Sequence, residues 1–345
     1  MSNQYRFVGI LLGWWLGLGL APAQQRAQYS QYMLNGYLLN PALGGTEDFV
    51  DVKTGYRNQW TGFEGAPVTF YLSGHLALGK SDRSSTAPVY DRYGRERNQS
   101  PIFDNQPAGP GHHGIGGLLL SDRTGPTSRS SFNLSYAWHQ PLSNQLKLSV
   151  GVAGGFTQHT LDFDQLRLAN PQDILAQQGK INAITPDLHV GALLYSRRWY
   201  LGASAQQLLF RKINYAETLP SGDQYAFLGQ LSTHYFLTGG LRFPVGLDWT
   251  FVPSALVKWT SPVPVSFDVN GRFLYQDRFW MGISYRHRDA VVGLMGFYLN
   301  PLLNLSYSYD FTLSDLRVAS RGTHEIVLGI QLRNRQRLLC PRNVF

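Results

Sequence analysis

Apolar and polar positions alternate along most of this chain. From Phe49 to Trp60 the odd positions are Phe49, Asp51, Lys53, Gly55, Arg57 and Gln59, and the even positions are Val50, Val52, Thr54, Tyr56, Asn58 and Trp60. Successive strand side chains point to opposite faces, so one face is mostly charged or polar and the other mostly apolar. The next segment repeats this: Val68, Phe70, Leu72, Leu76 and Leu78 oppose Thr69, Tyr71, Ser73, His75 and Ala77. Further on, Phe132, Leu134, Tyr136 and Trp138 oppose Ser131, Asn133, Ser135 and His139, and Leu148, Val150, Val152 and Phe156 oppose Lys147, Ser149, Gly151 and Ala153. Further strands are expected over 113–122, 187–196, 199–208, 229–238, 246–260, 265–274, 277–287, 290–298, 302–311 and 323–333. Pro253 predicts a bulge in its strand. Long connections are expected over 81–111, 158–186 (with a short helix near 172–178) and 210–227. The total is about fourteen strands, an even number as single-chain bacterial barrels require.

Charge follows the same alternation. The charged strand residues Lys53, Arg57, Lys147, Asp187, Asp248, Lys258, Asp268, Arg272, Arg286, Asp310 and Glu325 fall on the polar face. A Lys or Arg facing lipid at mid-bilayer costs about 2–4 kcal/mol, so lipid solvation would enforce this segregation. A soluble β-sandwich also alternates, but it would turn the charges outward and the Trp-ended stripe inward. Strand length and the Trp and Tyr residues near strand ends favour an all-β fold, a transmembrane antiparallel up-and-down β-barrel.

The first residues set the compartment. Arg6, the apolar run 7–20 and Ala21-Pro22-Ala23 read as a secretory leader cleaved after Ala23. The alternative, an uncleaved anchor helix, is short of the roughly 20 residues a span needs. After Leu20 no apolar run approaches that length, which excludes a helical membrane protein. Only 15% of residues are charged and 13% are aromatic, which suits a barrel with aromatic girdles. The net charge of +8 is scattered, and an exported chain is not expected to bind nucleic acid. The single cysteine, Cys340, excludes an intramolecular disulfide and cannot hold zinc alone.

The expected organisation is a leader (1–23), a periplasmic or lumenal segment (24–48), an outer-membrane barrel (49–333) and a basic periplasmic tail (334–345). An even strand count places both termini in the periplasm. Connections 141–144, 197–198, 275–277 and 299–301 are then short and periplasmic, while 158–186 and 210–227 lie outside. The long 81–111 connection, on the periplasmic side, is the exception.

Arg57, Asn58, Gln59 and Trp60 are candidates for partner contact at the outer rim; equally, Arg57 and Gln59 would fill the lumen and Trp60 anchor the girdle. Arg333, Arg335 and Arg337 are candidates for an acidic periplasmic partner or anionic head groups. Gly109–Gly114 matches G-x-G-x-x-G without the strand–helix context that dinucleotide binding needs. His112-His113 with Asp104 lacks convergent spacing for a metal. His75, His139, His189 and Ser73 fall on inner faces, where lumen-filling contacts are expected rather than catalysis. No catalytic, metal or cofactor site is expected.

Several stretches together resemble the PorP/SprF family. They are Gln28-Tyr29-Ser30-Gln31-Tyr32-Met33-Leu34-Asn35, Leu39-Asn40-Pro41-Ala42, Tyr56-Arg57-Asn58-Gln59-Trp60, Gly65-Ala66-Pro67-Val68-Thr69 with His75, Leu161-Asp162-Phe163 with Leu166-Arg167, Tyr307-Ser308-Tyr309-Asp310, His324-Glu325-Ile326 and Cys340-Pro341. Gly36 stands where a Pro is common in that family, and the ending Asn343-Val344-Phe345 is longer than usual. The resemblance implies a non-enzymatic outer-membrane barrel of Bacteroidetes working with type IX secretion. Its partners would be the periplasmic secretion apparatus or a large secreted adhesin used in gliding. The alternative is a passive, fatty-acid-transporter-like channel in which residues 24–48 form a plug, since Met33–Leu43 is apolar enough to enter a lumen.

Overall fold

The computed structural model describes residues 27–80, 109–165, 179–209, 212–214, 228–246, 248–276, 278–318 and 320–333. Its strands are β1 (Val50–Asn58), β2 (Val68–Leu78), β3 (His112–Thr124), β4 (Thr127–Pro141), β5 (Lys147–Asp162), β6 (Lys180–Tyr195) and β7 (Trp199–Gln206). They continue with β8 (His234–Leu241, extended by Phe243–Val245), β9 (Trp249–Thr260), β10 (Val263–Tyr275), β11 (Phe279–Arg286), β12 (Ala290–Tyr298), β13 (Leu303–Thr312) and β14 (Thr323–Leu332). Each strand pairs antiparallel with the next, and β14 pairs with β1, closing a fourteen-stranded barrel. Closure gives every strand a neighbour on both sides, although the β6–β7 ladder covers only Val190–Tyr195 of β6. Lys212–Asn214 and Leu228–Gln230 form a separate small ladder within the β7–β8 connection.

We call the rim where β1 begins and β14 ends proximal, and the other distal. The proximal connections 142–146, 196–198, 246–248, 276–278 and 299–302 are short, and β2–β3 also crosses there. The longer connections 163–179, 207–233 and 313–322 are distal. The outer face carries exposed Phe70, Leu134, Val152, Ile283 and Phe297. Aromatic pairs mark both levels: Trp249–Tyr275 and Phe279–Phe297 towards the proximal rim, Tyr235–Trp259 towards the distal. Such belts sit at the bilayer interfaces.

Several boundaries move. β5 and β6 each run 16 residues, and β4 runs 15, against the about nine to eleven a spanning strand needs. The expected loop 158–186 therefore shrinks to 163–179, and its expected helix lies outside the described residues. The reason is on the outer face. Beyond Phe132, Phe156 and Ile184 the outward positions become Ser130, Gln158, Thr160 and Asn182, with Thr160 Oγ1 and Gln158 Nε2 both donating to Asn182 Oδ1 (2.6 and 3.2 Å). The sheet continues past the hydrocarbon, so its outer residues turn polar while the ladder persists.

The strand expected over 229–238 begins instead at His234 and reaches Val245 in one register against β9. Pro253 makes no bulge. It stays in register with Gly271, and the lost donor falls on the β8 side, where pairing lapses at Leu241 and Arg242. The register shift lies between Lys258 and Thr260. Asp248 is exposed in the β8–β9 turn rather than inside the barrel, whereas the other ten charged residues expected inside are buried or, for Lys258, half-buried.

Candidate functional site

The lumen is occupied by the chain's own beginning. Tyr29, Tyr32, Met33, Tyr37, Leu38, Leu39, Ala42 and Leu43 are buried, as are Ser30, Gln31, Asn35 and Asn40. Two short 3-10 turns, Gly36–Leu38 and Pro41–Leu43, compact the segment. The second is set by sequence: the Asn40 side chain accepts from the Ala42 N–H at 2.9 Å, and Pro41 supplies a preformed first position.

Irregular backbone at membrane depth persists only where protein satisfies its polar groups. Here the inner wall does so. Gln206 Nε2 donates to the Leu38 and Leu39 carbonyls (3.0 and 2.8 Å), and Ser204 Oγ donates to Leu39 O at 2.6 Å. Ser149 Oγ donates to Ala42 O at 2.7 Å. His139 Nε2 donates to Gly44 O at 2.7 Å, and His112 Nε2 to Gly45 O at 3.1 Å. A carbonyl only accepts, so both imidazoles must carry their proton on Nε2. The two rings stack with centroids 4.4 Å apart. Gly114 and Gly151 make room for this close approach: a Cβ on either would overlap the backbone of Gly44 or of Ala42.

The distal half is held by charge. Arg57 pairs with Glu325, its cross-strand partner on β14, and with Asp310, both at 3.0 Å. Arg286 reaches Asp310 at 3.3 Å and Asp268 at 3.6 Å, and Lys258 reaches Asp268 at 3.1 Å. Ser30 enters this network. Its N–H donates to Glu325 Oε2 at 2.7 Å, its hydroxyl donates to Asp310, and Arg57 donates to its Oγ. Gln31 Nε2 donates to Glu325 O at 2.9 Å. The network thus joins the segment to the β14–β1 seam that closes the barrel. Charges inside a membrane protein persist when paired in this way.

The candidate residues separate. Arg57 is 1% exposed and lumenal, not at the rim. Asn58, Gln59 and Trp60 lie half-buried at the distal rim. Trp60 adopts φ 53°, uncommon for a bulky residue, and its N–H donates to Thr323 Oγ1 at 3.0 Å. Arg333 is exposed at the proximal rim; Arg335, Arg337 and the cleavage position after Ala23 lie outside the described residues.

The remaining motifs resolve as wall. Gly109-Pro110-Gly111 leads straight into β3 rather than into a helix. His112 faces the lumen, while His113 faces outward to Tyr136 Oη at 2.6 Å, so the pair cannot share a metal, and Asp104 lies outside the described residues. His75, His139, His189 and Ser73 are inward and buried. Ser73 Oγ accepts from Asn35 at 2.8 Å and sits over the Lys53 carbonyl, so its contacts are those of a wall residue holding the segment. Sequence reasoning missed Ser149, Ser204 and Gln206 as ligands of the segment. The available signal was the recurrence of small and hydrogen-bonding residues on inner faces beside an Asn-rich opening.

A search of curated proteins finds no match to the chain. Among solved structures, similar chains include a FadL homologue of Pseudomonas aeruginosa, at 12% identity and TM-score 0.47, covering 87% of this chain and 94% of that one. Another is the outer membrane protein Omp33 of Acinetobacter baumannii, at 7% and 0.44, covering 84% and 100%. A third is the translocator domain of the autotransporter NalP from Neisseria meningitidis, at 9% and 0.43, covering 88% and 94%. The family model described as type IX secretion system membrane protein PorP/SprF matches residues 21–330, nearly the whole chain. A closed fourteen-stranded wall with a lipid-facing exterior agrees with that description. The chain therefore belongs to the PorP/SprF family of type IX secretion system membrane proteins.

Proposed function

We propose that this outer-membrane barrel of type IX secretion acts as a non-enzymatic partner or anchor for other proteins, not as a conduit. The observation that carries this reading is the filled lumen. Residues 27–49 run through it, with the Leu38, Leu39, Ala42 and Gly44 carbonyls bound by the wall and Ser30 locked into the charge network. In this reading the proximal rim, with its short turns, faces the periplasm and the distal rim the exterior, as in bacterial barrels generally. A secreted adhesin, as in gliding, would meet the distal rim near Asn58, Gln59 and Trp60. The periplasmic apparatus would meet the proximal rim near Arg333, Arg335 and Arg337. Arg57 would act on the distal rim only through the strand that carries it.

The test is a crosslinked pull-down from native outer membranes, read by mass spectrometry. Recovery of one very large secreted chain makes the protein an adhesin partner. Recovery of periplasmic type IX components without such a chain makes it an anchor. If neither is recovered and the purified barrel conducts ions steadily, the interaction reading fails and the passive channel replaces it.

A further inference from the structure

We propose that the N-terminal segment is threaded through the barrel from the exterior rim to the periplasmic rim, so that Ala27 lies towards one face of the membrane and Arg333, at the end of β14, lies at the other. The sidedness rests on the orientation proposed above; the threading rests on geometry alone. Ala27 and Gln28 line a distal cleft together with Thr260, Val263 and Pro264 of the β9–β10 hairpin. Ser30 is bound to Arg57 and Glu325, near the distal ends of β1 and β14. Asn35 reaches mid-wall at Ser73, and Ala42 reaches Ser149 near the proximal start of β5. The Thr46 carbonyl accepts from Lys80, just past the proximal end of β2. Leu38 and Leu39 reach Gln206 at the distal end of β7 on the way, so the net direction is distal to proximal, and the chain then turns back into β1.

Strand parity fixes where β1 begins, but not where the mature chain begins. With cleavage after Ala23, only Gln24, Gln25 and Arg26 precede Ala27. Three residues span at most about 11 Å, far less than the roughly 25 Å of a barrel's apolar band. Residues 24–26 are then too few to bring the amino terminus back to the proximal rim. An exterior polypeptide would meet the start of the segment, and the periplasmic apparatus would have no access to it.

The experiment uses full-length chains with Cys340→Ser and one added cysteine: Gln25→Cys, Glu64→Cys in the distal β1–β2 loop, or Ser143→Cys in the proximal β4–β5 turn. A membrane-impermeant maleimide is applied to intact cells and, separately, to lysed cells. A heat-modifiable gel band establishes folding, and mass spectrometry of the purified chain establishes the cleavage position. The proposal expects Gln25→Cys and Glu64→Cys to label on intact cells, and Ser143→Cys only after lysis. Labelling of Gln25→Cys only after lysis, with Glu64→Cys labelled on intact cells, overturns the threading, as does a retained leader. Labelling of Ser143→Cys on intact cells with Glu64→Cys protected overturns the orientation, and the sidedness with it. An epitope placed between Gln24 and Gln25 gives a second readout by antibody binding to intact cells, with the same expected and overturning results.

Discussion

At Arg57 one side chain joins β1, β13, β14 and the lumenal segment. Removing one partner of a buried ion pair leaves an uncompensated charge and costs about 3–5 kcal/mol. Arg57→Ala should therefore lower the temperature at which the folded, fast-migrating gel band is lost. Arg57→Lys should fall between the two, because an ammonium cannot reproduce the guanidinium fork that grips both carboxylates. An unchanged transition for Arg57→Ala would show that the network does not hold the seam. Gly114 tests the seat of the segment separately. Valine suits a strand, but its Cβ at this position would overlap the Gly44 carbonyl. Gly114→Val should keep the barrel folded yet expose residues 27–49 to protease. Gly154→Val, where no atom of the described residues lies within 4 Å of the added Cβ, should leave the segment protected. Equal protection in both variants would sink the idea that this contact seats the segment.

At the level of the strand, the outer face of β5 records where lipid stops. Val152 is exposed amid the apolar band, and Gln158 is exposed beyond it. Val152→Arg should destabilise the folded barrel by about 2–4 kcal/mol, and Gln158→Arg by about 0–1 kcal/mol, measured by denaturant titration in bilayers. Equal costs would place the boundary elsewhere. The same change of solvent explains what the sequence could and could not reveal. Lipid-facing stretches were legible because alternation there is imposed by burial of one face and lipid on the other. The extensions to Asp162 and from Lys180 were not, because a strand with water outside loses its apolar stripe while keeping its hydrogen bonds. The inward placement of Arg57, His75 and His139 followed from parity. What those residues touch did not, since Ser30 meets Glu325 across 295 positions of sequence, and no local pattern encodes that pairing. That Met33–Leu43 could enter the lumen was legible from its apolar run, but the direction of residues 27–49 was not: parity counts strands, and this segment is not one.

For the whole molecule, the question is whether the barrel conducts. Barrel diameter grows with strand number, and about eight strands already suffice for side chains to fill the interior. Fourteen strands enclose more than wall side chains ordinarily fill, and here the segment supplies the rest, packing with Tyr71, Tyr200, Phe236, Leu256 and Trp280 in one buried cluster. The full chain should therefore give no steady conductance in a planar bilayer. Deleting residues 25–48, with the leader and Gln24 retained, should produce discrete single-channel steps and a lower unfolding temperature. The second effect follows because Asp310 and Glu325 lose Ser30 as a hydrogen-bonding partner. Steps of equal size from the full chain would mean that the segment does not seal the lumen, and the channel reading would lead. A folded deletion variant without steps would assign the seal to the inward side chains of β7–β12, with the segment serving the seam alone. If the deletion conducts and the full chain does not, the segment is the seal. In that case the two rims are the surfaces left for the partner role proposed above.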